Sequence, residues 1–199
     1  MTSSTSRAPS VIVVTGPSGA GKGTLIREVL EQVPGIGATV SATTRDRRPG
    51  EQDGREYYFL SLDEFLARIE RGDFLEHVPY VSGHRYGTLR SELDRIRDDG
   101  KVPLLELETE GALRVKGEVP GSVTIFISAS VEELERRLRE RATESTGEIG
   151  ERIALARQQL EQADEFDYVV ENDELDRAVE ELTRLVRGLL APAGTMSRP

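Results

Sequence analysis

The chain has no cysteine in its 199 residues. That excludes disulfides, zinc–thiolate centres and a cysteine nucleophile. No apolar run approaches the roughly 20 residues needed to span a bilayer. The opening stretch, MTSSTSRAPS, is polar and has no apolar h-region, so it does not read as a secretory signal. Basic charge is scarce: 26 Lys and Arg stand against 36 Asp and Glu, a formal net charge of −10. A broad nucleic-acid-binding face needs clustered Lys and Arg, and this balance argues against one. Phosphate can still be bound where a few basic residues converge. The expectation is a cytoplasmic enzyme or binding module with no nucleic-acid or membrane partner.

Against these absences stands a regular alternation of apolar runs and helical patterns. With 37% hydrophobic residues, the length suits one domain with smaller inserted lobes. VIVV at Val11–Val14 is a β-branched run suited to a strand buried on both faces. After it, Leu25, Val29 and Val33 recur at helical spacing until Pro34–Gly35. VPLLELE, VTIFIS and FDYVVEN read as three further core strands. Ser130 with Glu133 caps a helix bearing Leu134 and Leu138. The last helix carries Leu175, Val179, Leu182, Val186 and Leu189. Four such strands alternating with helices predict an α/β fold, a parallel sheet flanked by helices. Between them, ATVSATTR and REYYFL look like strands joined by a charged turn, and Ser61 with Glu64 caps a further helix. The expected organisation is a disordered arm at 1–9 and a core at 10–37 and 89–190. A substrate lobe is inserted at 38–88, a helical lid lies at about 139–157, and a loose tail occupies 191–199.

GPSGAGKGT, Gly16 to Thr24, carries the chemistry. Glycines let successive backbone N–H groups point inward onto phosphate, and the following helix N-terminus adds partial positive charge. Gly16, Gly19 and Gly21 supply the tight backbone, and Lys22 a point charge for the β- and γ-phosphates. The usual pattern places a hydroxyl directly after the lysine to help hold Mg²⁺. Here that position is Gly23, and Thr24 is the remaining hydroxyl. Mg²⁺ is then expected to be held largely by phosphates and water.

GPSGAGKGT resembles the loop of nucleoside-monophosphate kinases, where Lys-Gly-Thr is a familiar variant. SATTRDRRPGEQDGREYYF resembles one member, guanylate kinase, with its S-x-T-T-R-x-x-R-x-G-E-x-x-G-x-x-Y run. GDFLEH, GHRYGT, SVEELERRLRERATES and EFDYVVENDELDRAVEEL match the same family in the same order. The resemblance spans about residues 10–190. It implies a P-loop NTPase core with a GMP-binding lobe and a lid, and transfer of the γ-phosphoryl group of ATP to GMP or dGMP. ATP is held by Gly16, Ser18, Gly19, Ala20, Gly21, Lys22, Gly23, Thr24, Arg137 and Arg141. Asn172 is an adenine-contact candidate, with the N-cap of the last helix as its other reading. The GMP phosphate falls to Arg45 and Arg48, whose guanidinium groups suit bidentate contacts, and to Tyr57 and Tyr86. Guanine offers two adjacent donors, N1–H and the 2-amino group, which a carboxylate can accept. Glu76 matches that position, with Ser41, Thr88 and Glu108 beside it. The catalytic group is Lys22, Arg45, Arg141 and Arg152, and Glu106 is the residue nearest the Mg²⁺ water shell.

Two places depart from the family pattern. L-[DE]-I-D-x-Q-G becomes LELETEG, so Glu108 replaces an aspartate and Glu110 a glutamine. G-R-G-T becomes Glu140-Arg141-Ala142-Thr143, which removes both glycines and stiffens the expected lid hinge. A silent guanylate-kinase-like binding module and a kinase of altered base preference remain as alternatives.

Overall fold

A computed structural model of the chain describes residues 8–79, 83–140 and 146–191. The expected arm is described only from residue 8, the expected tail only at residue 191. The elements run β1 (Val11–Thr15), α1 (Lys22–Gln32), β2 (Ile36–Ala38), β3 (Ala42–Thr43), β4 (Tyr58–Phe59) and α2 (Leu62–Glu70). There follow β5 (Phe74–Pro79), β6 (Arg85–Leu89), α3 (Arg90–Asp98), β7 (Val102–Glu106), α4 (Thr109–Glu118) and β8 (Ser122–Ser128). The chain continues with α5 (Val131–Glu140), α6 (Thr146–Leu160), β9 (Tyr168–Glu171) and α7 (Leu175–Leu190).

The main sheet is parallel and five-stranded, in the order β2-β7-β1-β8-β9. β1 lies at its centre, and every residue of β1 is buried. Ile12 and Val14 join the core on one face with Leu25, Val29, Leu182 and Val186. Val11 and Val13 join the core on the other with Val115, Phe126 and Phe166. A strand covered on both sides needs apolar residues at every position, which is why VIVV shows no alternation. The register pairs Val14 with Glu106 of β7. The end of β1, where the glycine loop begins, therefore lies beside the acidic end of β7. Ligands of open α/β sheets bind outside the carboxyl ends of the strands.

The second sheet, β4-β3-β6-β5, covers a small core of Ala42, Phe65, Phe74 and Leu89. The Phe65 and Phe74 rings stack at 4.4 Å between centroids. α2 begins as its capping residues require, with the Glu64 amide donating to Ser61 Oγ at 3.1 Å. Glu92 of α3 ties this layer to the main sheet. It accepts from Tyr58 Oη of β4 and from the Val40 amide, each at 2.8 Å.

The four expected core strands are joined by a fifth, β2, which is only three residues long. ATVSATTR is not one strand. Ala38 pairs in the main sheet and Ala42–Thr43 in the second. Within REYYFL only Tyr58–Phe59 forms ladder pairs. Of the stripe expected on the last helix, Val179, Leu182 and Val186 are buried, but Leu175 is exposed at the helix start. Among the described residues, no helix is long and apolar enough to cross a membrane.

Candidate active site

Three glycines of the phosphate loop, Gly16, Gly19 and Gly21, have positive φ. Gly21 sits at φ 83° as the N-cap of α1, and a Cβ there would stand 2.5 Å from Asn172 Nδ2. Both the backbone conformation and the space require glycine. Lys22 opens α1 and folds over its own loop, donating to Gly16 O at 2.7 Å and Pro17 O at 3.2 Å.

Asn172 and Arg137 brace this loop from outside. Asn172 is buried and donates through Nδ2 to Ala20 O at 2.7 Å. α7 has Glu174 as its N-cap, so Asn172 does not cap that helix. Arg137 donates to Gly19 O at 3.4 Å, to Asn172 O at 2.8 Å and to Glu133 Oε1 at 2.6 Å. Arg136 shares the same carboxylate at 2.6 Å, and the pair of arginines, Arg136 first, holds Glu133 down at about 2. Arg136 and Arg139 lie on the outer side of α5 in ion pairs with Glu133, Glu140 and Glu135.

Beyond the loop opens a cleft of about 710 Å³ between the two sheets and α6. Lys22, Glu106, Glu108 and Arg152 line it on the core side, and Ser41, Arg45, Arg48, Tyr57, Glu76 and Tyr86 on the lobe side. Arg47, the third arginine of the TTRDRR run, does not line it. Arg141 lies outside the described residues.

The lobe side has a cationic and an acidic part. Arg45 meets Glu51 in a two-pronged ion pair, and its Cζ lies 5.4 Å from the centroid of the Tyr57 ring. Tyr57 and Tyr86 pack edge to face at 5.9 Å. Burial raises the Tyr57 phenol above its ordinary value, so it keeps its proton and can donate. Glu76 is buried on β5, opposite Thr88 on β6. Thr88 Oγ1 donates to Glu76 Oε1 at 2.9 Å. Burial raises the Glu76 pKa, while the Thr88 bonds and the Arg114 charge act against the rise.

The core side carries two more carboxylates. Glu106 ends β7, and its Oε2 lies 3.8 Å from where a Cβ on Gly23 would stand. Desolvation within the cleft raises its pKa, the Lys22 charge opposes this, and Glu108 adds to the rise. Glu108 is the N-cap of α4 but makes no side-chain cap bond. Among the described residues, no group of three or more His, Asp or Glu is placed to hold a metal ion. One carboxylate beside the phosphate loop suits Mg²⁺, which binds through one or two carboxylates, substrate phosphates and retained waters.

Sequence reasoning passed over several lining residues, among them Thr39, Glu56 and His84. It also passed over Glu51, which takes both prongs of Arg45 and the Arg48 amide at 2.7 Å. The signal was present: Glu51 is the acid in the R-x-x-R-x-G-E run. Its charge opposite the arginines was the clue.

The guanylate kinase family model matches residues 8–189. Guanylate kinase of Rubrobacter xylanophilus is 46% identical over 186 residues, 93% of this chain and 97% of its own length. That of Thermotoga maritima is 42% identical over 178 residues, 89% of this chain and 86% of its own. The crystal structure of guanylate kinase from Anaplasma phagocytophilum superposes with a TM-score of 0.73 at 29% identity, covering 95% of this chain and 89% of that one. A family model that spans nearly the whole chain, with relatives 42–46% identical over most of it, has one reading: the chain belongs to the guanylate kinase family.

Proposed function

We propose that this chain transfers the γ-phosphoryl group of ATP to GMP or dGMP, giving ADP and GDP or dGDP, in purine nucleotide metabolism. The observation that carries this reading is one continuous cleft. Lys22 and Glu106 beside the phosphate loop, then Arg45, Arg48, Tyr57 and Tyr86, and Glu76 all line it. These three groups suit, in turn, a phosphate donor, an acceptor phosphate and a base.

Phosphoryl transfer asks mainly for positioning and charge neutralisation. The backbone of Gly16–Thr24 and the α1 N-terminus cradle the ATP phosphates, Lys22 swings from its loop carbonyls onto the β- and γ-phosphates, and Asn172 with Arg137 holds the loop in shape. Arg45 and Arg48 grip the acceptor phosphate with the phenols of Tyr57 and Tyr86. Glu76 accepts the two guanine donors, with Ser41, Thr88 and Glu108 around the base. Arg152, with Arg141, brings positive charge to the transferring group as the proposed lid at 139–157 closes over the GMP-binding lobe at 38–88 and excludes water. Mg²⁺ bound with ATP supplies charge neutralisation, and Glu106 is the side chain that would meet its water shell. The cytoplasm is the compartment proposed for the reaction.

Assaying ADP release with GMP, dGMP, AMP, CMP and UMP tests this. GMP and dGMP are the expected substrates. No turnover with any of the five would leave a binding module, and preference for AMP would overturn the guanine assignment.

A further inference from the structure

The third residue of α4 is a glycine that α4 itself does not need. Gly111 is buried and is not among the glycines of positive φ. Alanine is the better residue at an ordinary helical position. What occupies the side-chain space is Glu76. A Cβ on Gly111 would stand 3.2 Å from Glu76 Oε2 and 3.7 Å from Glu76 Cδ, with Leu107 Cβ next at 3.8 Å. The contact with Oε2 is the tight one.

We propose that Gly111 is a specificity-determining positioning residue: its missing side chain lets the Glu76 carboxylate rest against the first turn of α4, in the place from which it reads guanine. This rests on the guanine-reading role proposed for Glu76. The carboxylate has little room to yield. Oε1 is tied to Thr88 Oγ1 at 2.9 Å, and the residue is 5% exposed. α4 packs against β5, which carries Glu76, so neither partner is free to drift. The first turn of α4 also lacks a side-chain cap. Its partial positive charge favours an anion there, which offsets part of the cost of burying Glu76. A methyl group at 111 would push Oε2 by a few tenths of an ångström, away from the helix end and out of register with the two guanine donors.

The test is Gly111→Ala beside Glu76→Gln and the double variant, read with GMP and with IMP, which lacks the 2-amino group. In Gly111→Ala the GMP KM should rise roughly tenfold, given how strongly small misplacements weigh in such sites. The ATP KM should stay within about twofold and the preference for GMP over IMP should fall, while the melting temperature holds or rises, as helix propensity directs. In the Glu76→Gln background, Gly111→Ala should change the GMP KM by less than about twofold, the non-additivity of one shared contact. If Glu76→Gln impairs GMP and Gly111→Ala does not, the inference about Gly111 fails while the role of Glu76 stands. If Glu76→Gln leaves GMP untouched, the reading of Glu76 fails and this inference falls with it. Equal losses for GMP and ATP, or equal losses for GMP and IMP, would mean a general distortion and overturn the proposal. Should Gly111→Ala not fold, Glu76→Ala/Gly111→Ala decides: recovery of the fold supports the contact, and failure there too overturns it.

Discussion

Arg45 and Glu51 meet prong to prong, with Nη2 to Oε1 at 2.8 Å and Nη1 to Oε2 at 3.1 Å. Both side chains are largely enclosed, at 12% and 17% exposure. The pairing raises the Arg45 pKa, and Arg45 first, then the Arg48 amide, holds Glu51 below the ordinary carboxylate range. Glu51 thus fixes the plane of the guanidinium proposed to meet the acceptor phosphate. Glu51→Gln keeps the shape but loses the charge. Charge-assisted hydrogen bonds exceed neutral ones by about 1 kcal/mol, so the GMP KM should rise about fivefold with the ATP KM unchanged. Initial-rate kinetics check this, and an unchanged GMP KM would remove Glu51 from the site.

Lys22 makes no ion pair among the contacts described and spends its charge on two loop carbonyls. Lys22→Ala should therefore leave the melting temperature within a few degrees. Removing one charge-stabilising donor costs roughly 10²–10³ in kcat in other enzymes, and a loss of that order is expected. Wild-type turnover in this variant would displace the phosphate-loop assignment.

The raised pKa of Glu76 gives a pH signature. Its folded-state value lies above the ordinary carboxylate value because burial disfavours the anion. As pH falls through the folded value, Glu76 takes a proton and loses an acceptor for guanine. Stability behaves the opposite way: a carboxyl raised by folding binds its proton more tightly in the folded state, so this group does not promote acid unfolding. The kcat/KM for GMP should fall on the acid side above the ordinary carboxylate range while the fold persists. Glu76→Gln should lack that limb. An identical acid limb in the variant would assign it to another group.

How much of this was legible follows from how local each signal is. The phosphate loop was readable because its backbone must be built from contiguous glycines, and β1 because both its faces are buried. β5 and β6 were not readable as a pair. Glu76 and Thr88 occupy buried positions facing each other, so polar residues interrupt the apolar alternation that would mark the strands. β2 was hidden by its length. The place of Asn172 beneath Ala20 depends on residues 152 apart in sequence, which no local pattern records. Gly111 was quoted within a motif, yet its reason appears only when Glu76 is set beside it.

Glu92 predicts where the lobe is anchored. Its side chain is 3% exposed and takes two prongs of Arg95, each at 2.8 Å, besides Tyr58 and the Val40 amide. Burial alone would raise its pKa, but these partners outweigh it and leave Glu92 below the ordinary value. A lowered carboxyl adds stability above its unfolded pKa and loses it as pH falls through the folded one. Arg95→Ala should cost roughly 1–3 kcal/mol, toward the low end because Arg95 is half exposed and screened. The difference from wild type in denaturant unfolding should shrink on the acid side of the ordinary carboxylate range. A difference that held constant there would detach Glu92 from the effect.

Glu108 stands where the family pattern has an aspartate, and the structure gives that exchange a consequence with two opposite signs. Glu108 is the N-cap of α4 in extended backbone, φ −68° and ψ 158°, yet its side chain does not cap the helix and lines the cleft instead. Aspartate is among the best N-cap residues because its short carboxylate reaches back to the first-turn amides; glutamate is one methylene too long for that geometry. Glu108→Asp should therefore trade reach for capping. A good cap contributes about 1 kcal/mol, which is roughly 2–4 °C in melting temperature for a chain of this size. The carboxylate drawn back to the helix is lost to the cleft, so the GMP KM should rise a few-fold while the ATP KM holds. Thermal unfolding and initial rates on the same preparation check both signs together. A higher melting temperature with an unchanged GMP KM would mean that the Glu108 carboxylate does not meet the base, and would leave guanine recognition to Glu76 with Thr88.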